Sequence, residues 1–473
     1  MKRLLYIALS LVVACTSTPY PSIDRPSTGT SSEDRSIIAY IDQRLATEYY
    51  WLDEVVERSA SFDRGVKWEE YLSVSLGGLK SNADDGYVNS KGQRVLYSYI
   101  REYKSSTRSK TMGFGIGLHY TIAVIDSENQ HLGFLVDNVY ADSPAHKAGV
   151  RRGDVITMVN RGYITQMNYA ELFKRIENNS ASAVELSLRR QTDGEVYTAE
   201  LDMGSYEESP VAHHEVITIE DKKIGYIVYT GFDSEYDDAL IEAISELKEG
   251  GAEEVILDLR INGGGSVNSA VKLCSALMPA KYEGKTLCRI ERNPKNTVSD
   301  QVSDFNLKDT GSLLELDELT VICSGYSASA SELLIMGLRG LDVPVTLIGS
   351  ATEGKNCGMD VTRRTIEGIN VEFAPITFMC FNDKGEGDWG DGIVPDIDLT
   401  EEGNELSISD KNYPLPRADW GDYQHDIALA AALAKVTGKK VSDSTRSAVL
   451  VELPVAAYME YEIEGIRHYV EER

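Results

Sequence analysis

The chain has 473 residues, 42% of them hydrophobic, which is enough apolar material for more than one core. Lysine and arginine number 47 against 75 aspartates and glutamates, giving a formal net charge of −28. That excess argues against nucleic acid and anionic membrane surfaces as partners, and it favours high solubility.

Residues 1–14 have the form of a targeting signal. Lys2 and Arg3 make a basic start, and the apolar run Leu4–Ala14 is too short to span a bilayer as a stable anchor. Leu11-Val12-Val13-Ala14-Cys15 resembles the lipobox of bacterial lipoproteins, which implies that Cys15 carries lipid and ties the chain to a membrane. The expected location is then periplasmic, on the outer membrane. Residues 15–35, rich in Ser, Thr and Pro, read as a flexible tether.

Residues 36–110 are expected to form a small helical domain. Ile37, Ile38, Tyr40, Ile41 and Leu45 recur at helical spacing, as do Trp68, Tyr71, Leu72 and Leu76. A further helix is predicted over 94–103, and Tyr49-Tyr50-Trp51 reads as core. Residues 111–205 change character. A glycine-rich loop, Gly113-Phe114-Gly115-Ile116-Gly117, precedes an alternating strand over 133–139 and then Asp142-Ser143-Pro144-Ala145-His146-Lys147-Ala148-Gly149-Val150-Arg151-Arg152-Gly153-Asp154-Val155-Ile156. No Lys-Ser/Thr follows the loop and the next residues are strand-like, so it is not a phosphate loop. The segment resembles a PDZ domain. This implies that Gly113, Phe114, Gly115, Ile116 and Gly117 line a site for a C-terminal carboxylate, with the peptide adding as a strand to a sheet edge.

Residues 206–400 alternate strands and helices. Strands are predicted over 224–230, 255–259, 319–323 and 345–348, and helices over 237–248, 267–277 and 332–338. This is the pattern of an α/β core with a largely parallel sheet. Residues 401–473 form an acidic extension with a helix over 425–436.

Within this core, Ser329 sits where a buried strand passes into a helix. A hydroxyl there lies beside backbone N–H groups and the positive end of the helix dipole, which favour developing negative charge. Ser329-x-x-Glu332 is also a capping box, an ordinary helix start. Seven histidines are present and none lies between His214 and His425, which argues against a histidine-based triad in this central region. Lys355, in Glu353-Gly354-Lys355-Asn356-Cys357-Gly358, is the candidate base. A lysine acts as base only as the neutral amine, so an ordinary pKa of about 10.4 must fall toward roughly 7–8. Burial can do this, and Cys357 and Met359 suit an apolar pocket. Glu353 is expected to turn away.

Three motifs stand in order: Val255-Ile256-Leu257-Asp258-Leu259-Arg260-Ile261-Asn262-Gly263-Gly264-Gly265, then Ser327–Glu332, then Gly354-Lys355, with Gly392-Ile393-Val394-Pro395-Asp396 behind them. With a PDZ domain in front, the chain resembles the C-terminal processing (tail-specific) peptidases of the S41 type. The resemblance implies a crotonase-like ββα core and endoproteolysis of substrates with accessible C-terminal tails. It also implies Ser329 as nucleophile, Lys355 as base, and oxyanion donors at the N–H of Ala330 and of a glycine in 262–265, with Gly264 favoured. One departure stands out: the glutamine that many members carry four residues after the lysine is Met359 here.

No cofactor or metal is expected. The cysteines beyond Cys15 (Cys274, Cys288, Cys323, Cys357 and Cys380) show no ligand spacing. Buried thiols fit them, and one disulfide stays open. The competing reading is an inactive peptide-binding adaptor that uses only the PDZ domain; hydrolysis of a non-peptide acyl substrate is a third.

Overall fold

The computed structural model describes residues 31–53, 55, 66–76, 85–88, 94–103, 112–126, 131–169, 171–172, 176, 183–311, 313–399 and 417–439. The signal segment, Cys15, most of the tether and most of the acidic extension lie outside the described residues.

The core is a six-stranded sheet in the spatial order Val211–Ile219, Lys222–Tyr229, Glu254–Asp258, Leu319–Cys323, Val345–Gly349 and Ile397–Asp398. The first pair is antiparallel and every later pair is parallel. Its strands are apolar on both faces, as a covered parallel sheet requires. Ile227, Tyr229, Leu257, Val321 and Leu347 point to one face, where the helices Asp237–Glu249, Val267–Leu277 and Ala330–Gly340 pack. Tyr226, Val228, Ile256, Ile322 and Ile348 alternate with them and meet the helix Ile427–Thr437 on the other face. The strands and helices expected from periodicity in 224–348 are present, with ends shifted by a residue or two.

The PDZ region is a second six-stranded sheet with its own core, built on Phe134, Ile156, Leu186 and Leu188. Strand Leu118–Asp126 lies at its edge and pairs only with His131–Val139 among the described residues. The loop strand Met112–Gly115 pairs instead with Gly204–Glu207. A side chain at Gly113 would strike the Tyr206 ring at 2.3 Å, which explains the glycine there.

The N-terminal segment departs from the sequence reading. Helices Ser32–Glu48 and Trp68–Leu76 form, but the helix expected over 94–103 does not: Arg94–Val95 and Tyr99–Glu102 are strands. Tyr99–Glu102 pairs antiparallel with Ile369–Ala374, and Arg101 stands opposite Glu372, joined to it at 2.6 Å. That long-range partner overrides local helical preference. Tyr49 is core as expected. The two helices share one apolar cluster with Cys357, Val371, Phe373 and Ile376, so this segment packs directly against the strands that follow Lys355.

Candidate active site

The three motif segments start at the carboxyl ends of three neighbouring parallel strands, the usual place for a site in such a sheet. Asp258 leads into Asn262–Gly265, Cys323 into Ser329, and Gly349 into Lys355. Each turn is fastened to the next. The hydroxyls of Ser324, Ser327 and Ser331 donate to the carbonyls of Arg260, Leu259 and Asn262 at 2.6, 2.7 and 2.9 Å. Those three serines are therefore occupied in holding the glycine turn. Ser329 makes no such bond and lines the cavity instead.

Ser329 adopts φ 55°, ψ −111°, a conformation that an L-residue takes only under constraint, at a cost of about 1–3 kcal/mol. Strain of this kind, on a serine at a strand-to-helix turn, is how a nucleophile is pushed out of its backbone into a cleft. The constraint comes from Glu332. Its carboxylate is wholly buried and accepts four hydrogen bonds: from Ser329 N–H at 2.9 Å, Lys355 N–H at 2.8 Å, Gly354 N–H at 2.7 Å and the Thr352 hydroxyl at 2.6 Å. The capping glutamate thus also ties the serine turn to the lysine loop. Burial pushes its pKa up to about 7, against the lowering pull of those four donors. The Gly392–Asp396 motif braces the loop from behind, since Ile393 N–H donates to Thr352 Oγ1 at 2.7 Å and a side chain at Gly392 would strike the Thr352 carbonyl.

Lys355 is 9% exposed and lines the same cavity as Ser329, with Ala330, Gly263, Gly265, Leu333, Met359 and Phe378 among its neighbours there. No hydrogen bond joins its amine to Ser329 in this resting arrangement; such contacts often tighten only with substrate bound. Asn356 faces elsewhere, donating to the Gly387 carbonyl at 2.7 Å. Glu353 Oε1 accepts from the Tyr97 hydroxyl at 3.2 Å.

The expectation for Gly264 needs correction. Its N–H donates to Asn262 Oδ1 at 2.9 Å, a local side-chain turn that competes for the donor. Gly265 and Ala330 line the cavity, and among the described residues neither N–H donates to an acceptor. Gly264 serves by being small: a Cβ there would lie 2.7 Å from Ser329 Cβ and 2.9 Å from Ala330 N. In the PDZ loop, the N–H groups of Ile116 and Gly117 likewise meet no acceptor among the described residues, whereas their carbonyls accept from Ala145 and Tyr140. Phe114 is 43% exposed beside them.

Behind the glycine turn, Arg260 is buried between two carboxylates. It bonds Asp258 at 2.6 Å and Asp426 at 2.9 Å. Arg152 of the PDZ region stands 3.7 Å from Asp426, with its guanidinium stacked 3.9 Å over Trp420. Nothing in the sequence pairs these residues, because Asp426 comes from a segment beyond the motifs. The five cysteines described are all buried thiols, and burial pushes Cys323 up to about 12. No group of metal-ligating side chains occurs among the described residues.

A strained Ser329 and a nearly buried Lys355 thus share one cavity, carried on an α/β sheet beside the PDZ region. Residues 223–399 match the model of peptidase family S41 and residues 135–190 that of the PDZ domain. It is 26% identical over 330 residues to a Staphylococcus aureus protein named "Probable CtpA-like serine protease", covering 70% of this chain and 62% of that one. A Staphylococcus epidermidis protein of the same name is 23% identical over 398 residues, covering 83% and 71%. The fold is shared with a crystal structure from Bacteroides fragilis assigned to the S41 proteases, at TM-score 0.67 and 23% identity, covering 88% of this chain and 99% of that one.

Proposed function

We propose that the chain is a serine endopeptidase in which Ser329 attacks the scissile carbonyl and Lys355 takes the serine proton and returns it to the leaving amine. The N–H groups of Ala330 and Gly265 receive the oxyanion. The observation that carries this reading is the Glu332 carboxylate, which binds the backbone of the strained serine and of the buried lysine at once. Two groups brought together only in the fold, and held by one buried acceptor, fit nucleophilic catalysis better than a helix cap alone. The cavity wall of Leu333, Val361, Met359 and Phe378 suits an apolar substrate side chain.

Substrates are polypeptides with accessible C-terminal tails. The N–H groups of Ile116 and Gly117 suit a terminal carboxylate, and Leu118–Asp126, an edge strand among the described residues, suits an added strand. The protein works in the periplasm, held to the membrane by lipid on Cys15.

The test is cleavage of casein by the chain from Ser32 onward, beside Ser329→Ala and Lys355→Ala, with labelling by a fluorophosphonate probe. Parent activity that both substitutions abolish, in folded proteins, supports the dyad. A parent as silent as the variants, to casein and probe alike, supports the adaptor reading instead.

A further inference from the structure

Among the described residues the Lys355 amine meets no hydrogen-bond acceptor, although the residue is only 9% exposed. A lysine that must reach a serine hydroxyl needs something to fix its long, flexible stem. The position four residues on, Met359, offers no polar group. What the amine does meet is an aromatic face: its Nζ lies 4.7 Å from the centroid of the Tyr97 ring.

Tyr97 comes from the N-terminal segment, outside the stretch matching the peptidase family. It is 6% exposed and firmly placed. The next residue, Ser98, donates its N–H and hydroxyl to Asp85 at 2.8 and 2.6 Å, and Tyr49 donates to the same carboxylate at 2.9 Å. Ser98 Oγ also accepts from Ile376 N–H at 2.9 Å, which fastens this turn to the strand beside Cys357–Met359. The Tyr97 hydroxyl is tied to Glu353, two residues before the lysine. The charged and titratable groups around the pair are Asp85 from the N-terminal segment, Glu353 and Cys357 from the lysine loop, and Glu332 from the nucleophile helix.

We propose that Tyr97 is the positioning residue for Lys355, its ring face holding the amine in the cavity shared with Ser329 and doing for this chain what a polar side chain at Met359 cannot. The proposal rests on the Ser329/Lys355 reading. Tyr97 is part of the apolar cluster of the N-terminal segment, and its ring also presents a face to the Lys355 amine, a contact that bulk in the core alone does not require. Ring-face contact fixes direction through the quadrupole while offering no acceptor to which the amine is lost.

The experiment compares Tyr97→Leu and Tyr97→Phe with the parent in casein turnover and in the rate and final stoichiometry of fluorophosphonate labelling. Tyr97→Leu is expected to lower kcat and the labelling rate roughly tenfold or more, the range of lost acid–base positioning, with KM within about twofold. Its final labelling should still reach one per chain, which a partly unfolded population would not. Tyr97→Phe, which keeps the ring, should stay within about threefold of the parent. If Tyr97→Leu does not fold, Tyr97→Met is read in its place. Parental rates in the Leu variant, or an equal loss in the Phe variant, overturn the proposal. Retained cleavage by Ser329→Ala or Lys355→Ala overturns the dyad itself, so the two failures are separable.

Discussion

Two buried carboxylate sites flank the Ser329 and glycine turns, and they are held in opposite ways. Glu332, in front, is satisfied by three backbone N–H groups and one hydroxyl, and burial lifts it to about 7. Asp426, behind the glycine turn, is also buried, but Arg260 and Arg152 outweigh the burial and keep its pKa below the ordinary carboxylate range. Dipoles fix geometry beside the lysine without introducing a second cation there. Arginines fix the rear, where the sheet, the PDZ region and residues 417–426 meet and no proton has to move.

The rear should be the costlier place to break. Arg260→Met leaves Asp258 and Asp426 buried without their shared cation, and removing one partner of a buried pair costs about 3–5 kcal/mol. Chemical denaturation checks this. A loss below about 1 kcal/mol would mean that the carboxylates share a proton and the arginine is dispensable.

At the front, Glu332→Gln turns an amide N–H₂ toward two of the four donors, costing about 1–3 kcal/mol. Its larger effect should be on turnover, at least roughly tenfold, because the lysine loop loses an anchor. A variant destabilised this far but fully active would show that the loop is placed by Gly392 and Ile393 alone.

The smallest effect separates the two sites by pH. The Glu332 pKa in the fold lies above its open-chain value of 4.5, so the folded state binds more protons between 4.5 and about 7. Its contribution to stability is full below pH 4.5 and is lost as pH rises toward 7. Activity should move the other way, since a protonated carboxyl must donate where four donors already point. Unfolding and turnover measured on one pH series, for the parent and Glu332→Gln, test this. Parent stability and activity rising together would mean that the four donors win over burial and Glu332 is ionised throughout.

Much of this was legible in the chain. The period-two and period-3.6 patterns over 224–348 located the strands and helices, because a covered parallel sheet imposes those periods on its own residues. The motif order indicated Ser329, Lys355 and the glycine turn. Glu332 was visible only as a cap: its bonds to Gly354 and Lys355 join residues more than twenty positions apart. The strand at Tyr99–Glu102 was read as helix because its partner, Ile369–Ala374, lies far along the chain.

The sequence by itself determined the element types over 224–348, the α/β class, the PDZ region and the identity of the chemical groups, since these follow from local pattern and residue chemistry. Only the tertiary structure decided which groups are committed. It spent the Gly264 N–H on Asn262, left those of Gly265 and Ala330 open, bound three of the four nearby serines to carbonyls, and laid Tyr97 against the lysine. Hydrogen-bond donors in a buried site are few and each is used by whichever acceptor the packing brings within reach, and that depends on contacts between residues that are far apart in the chain.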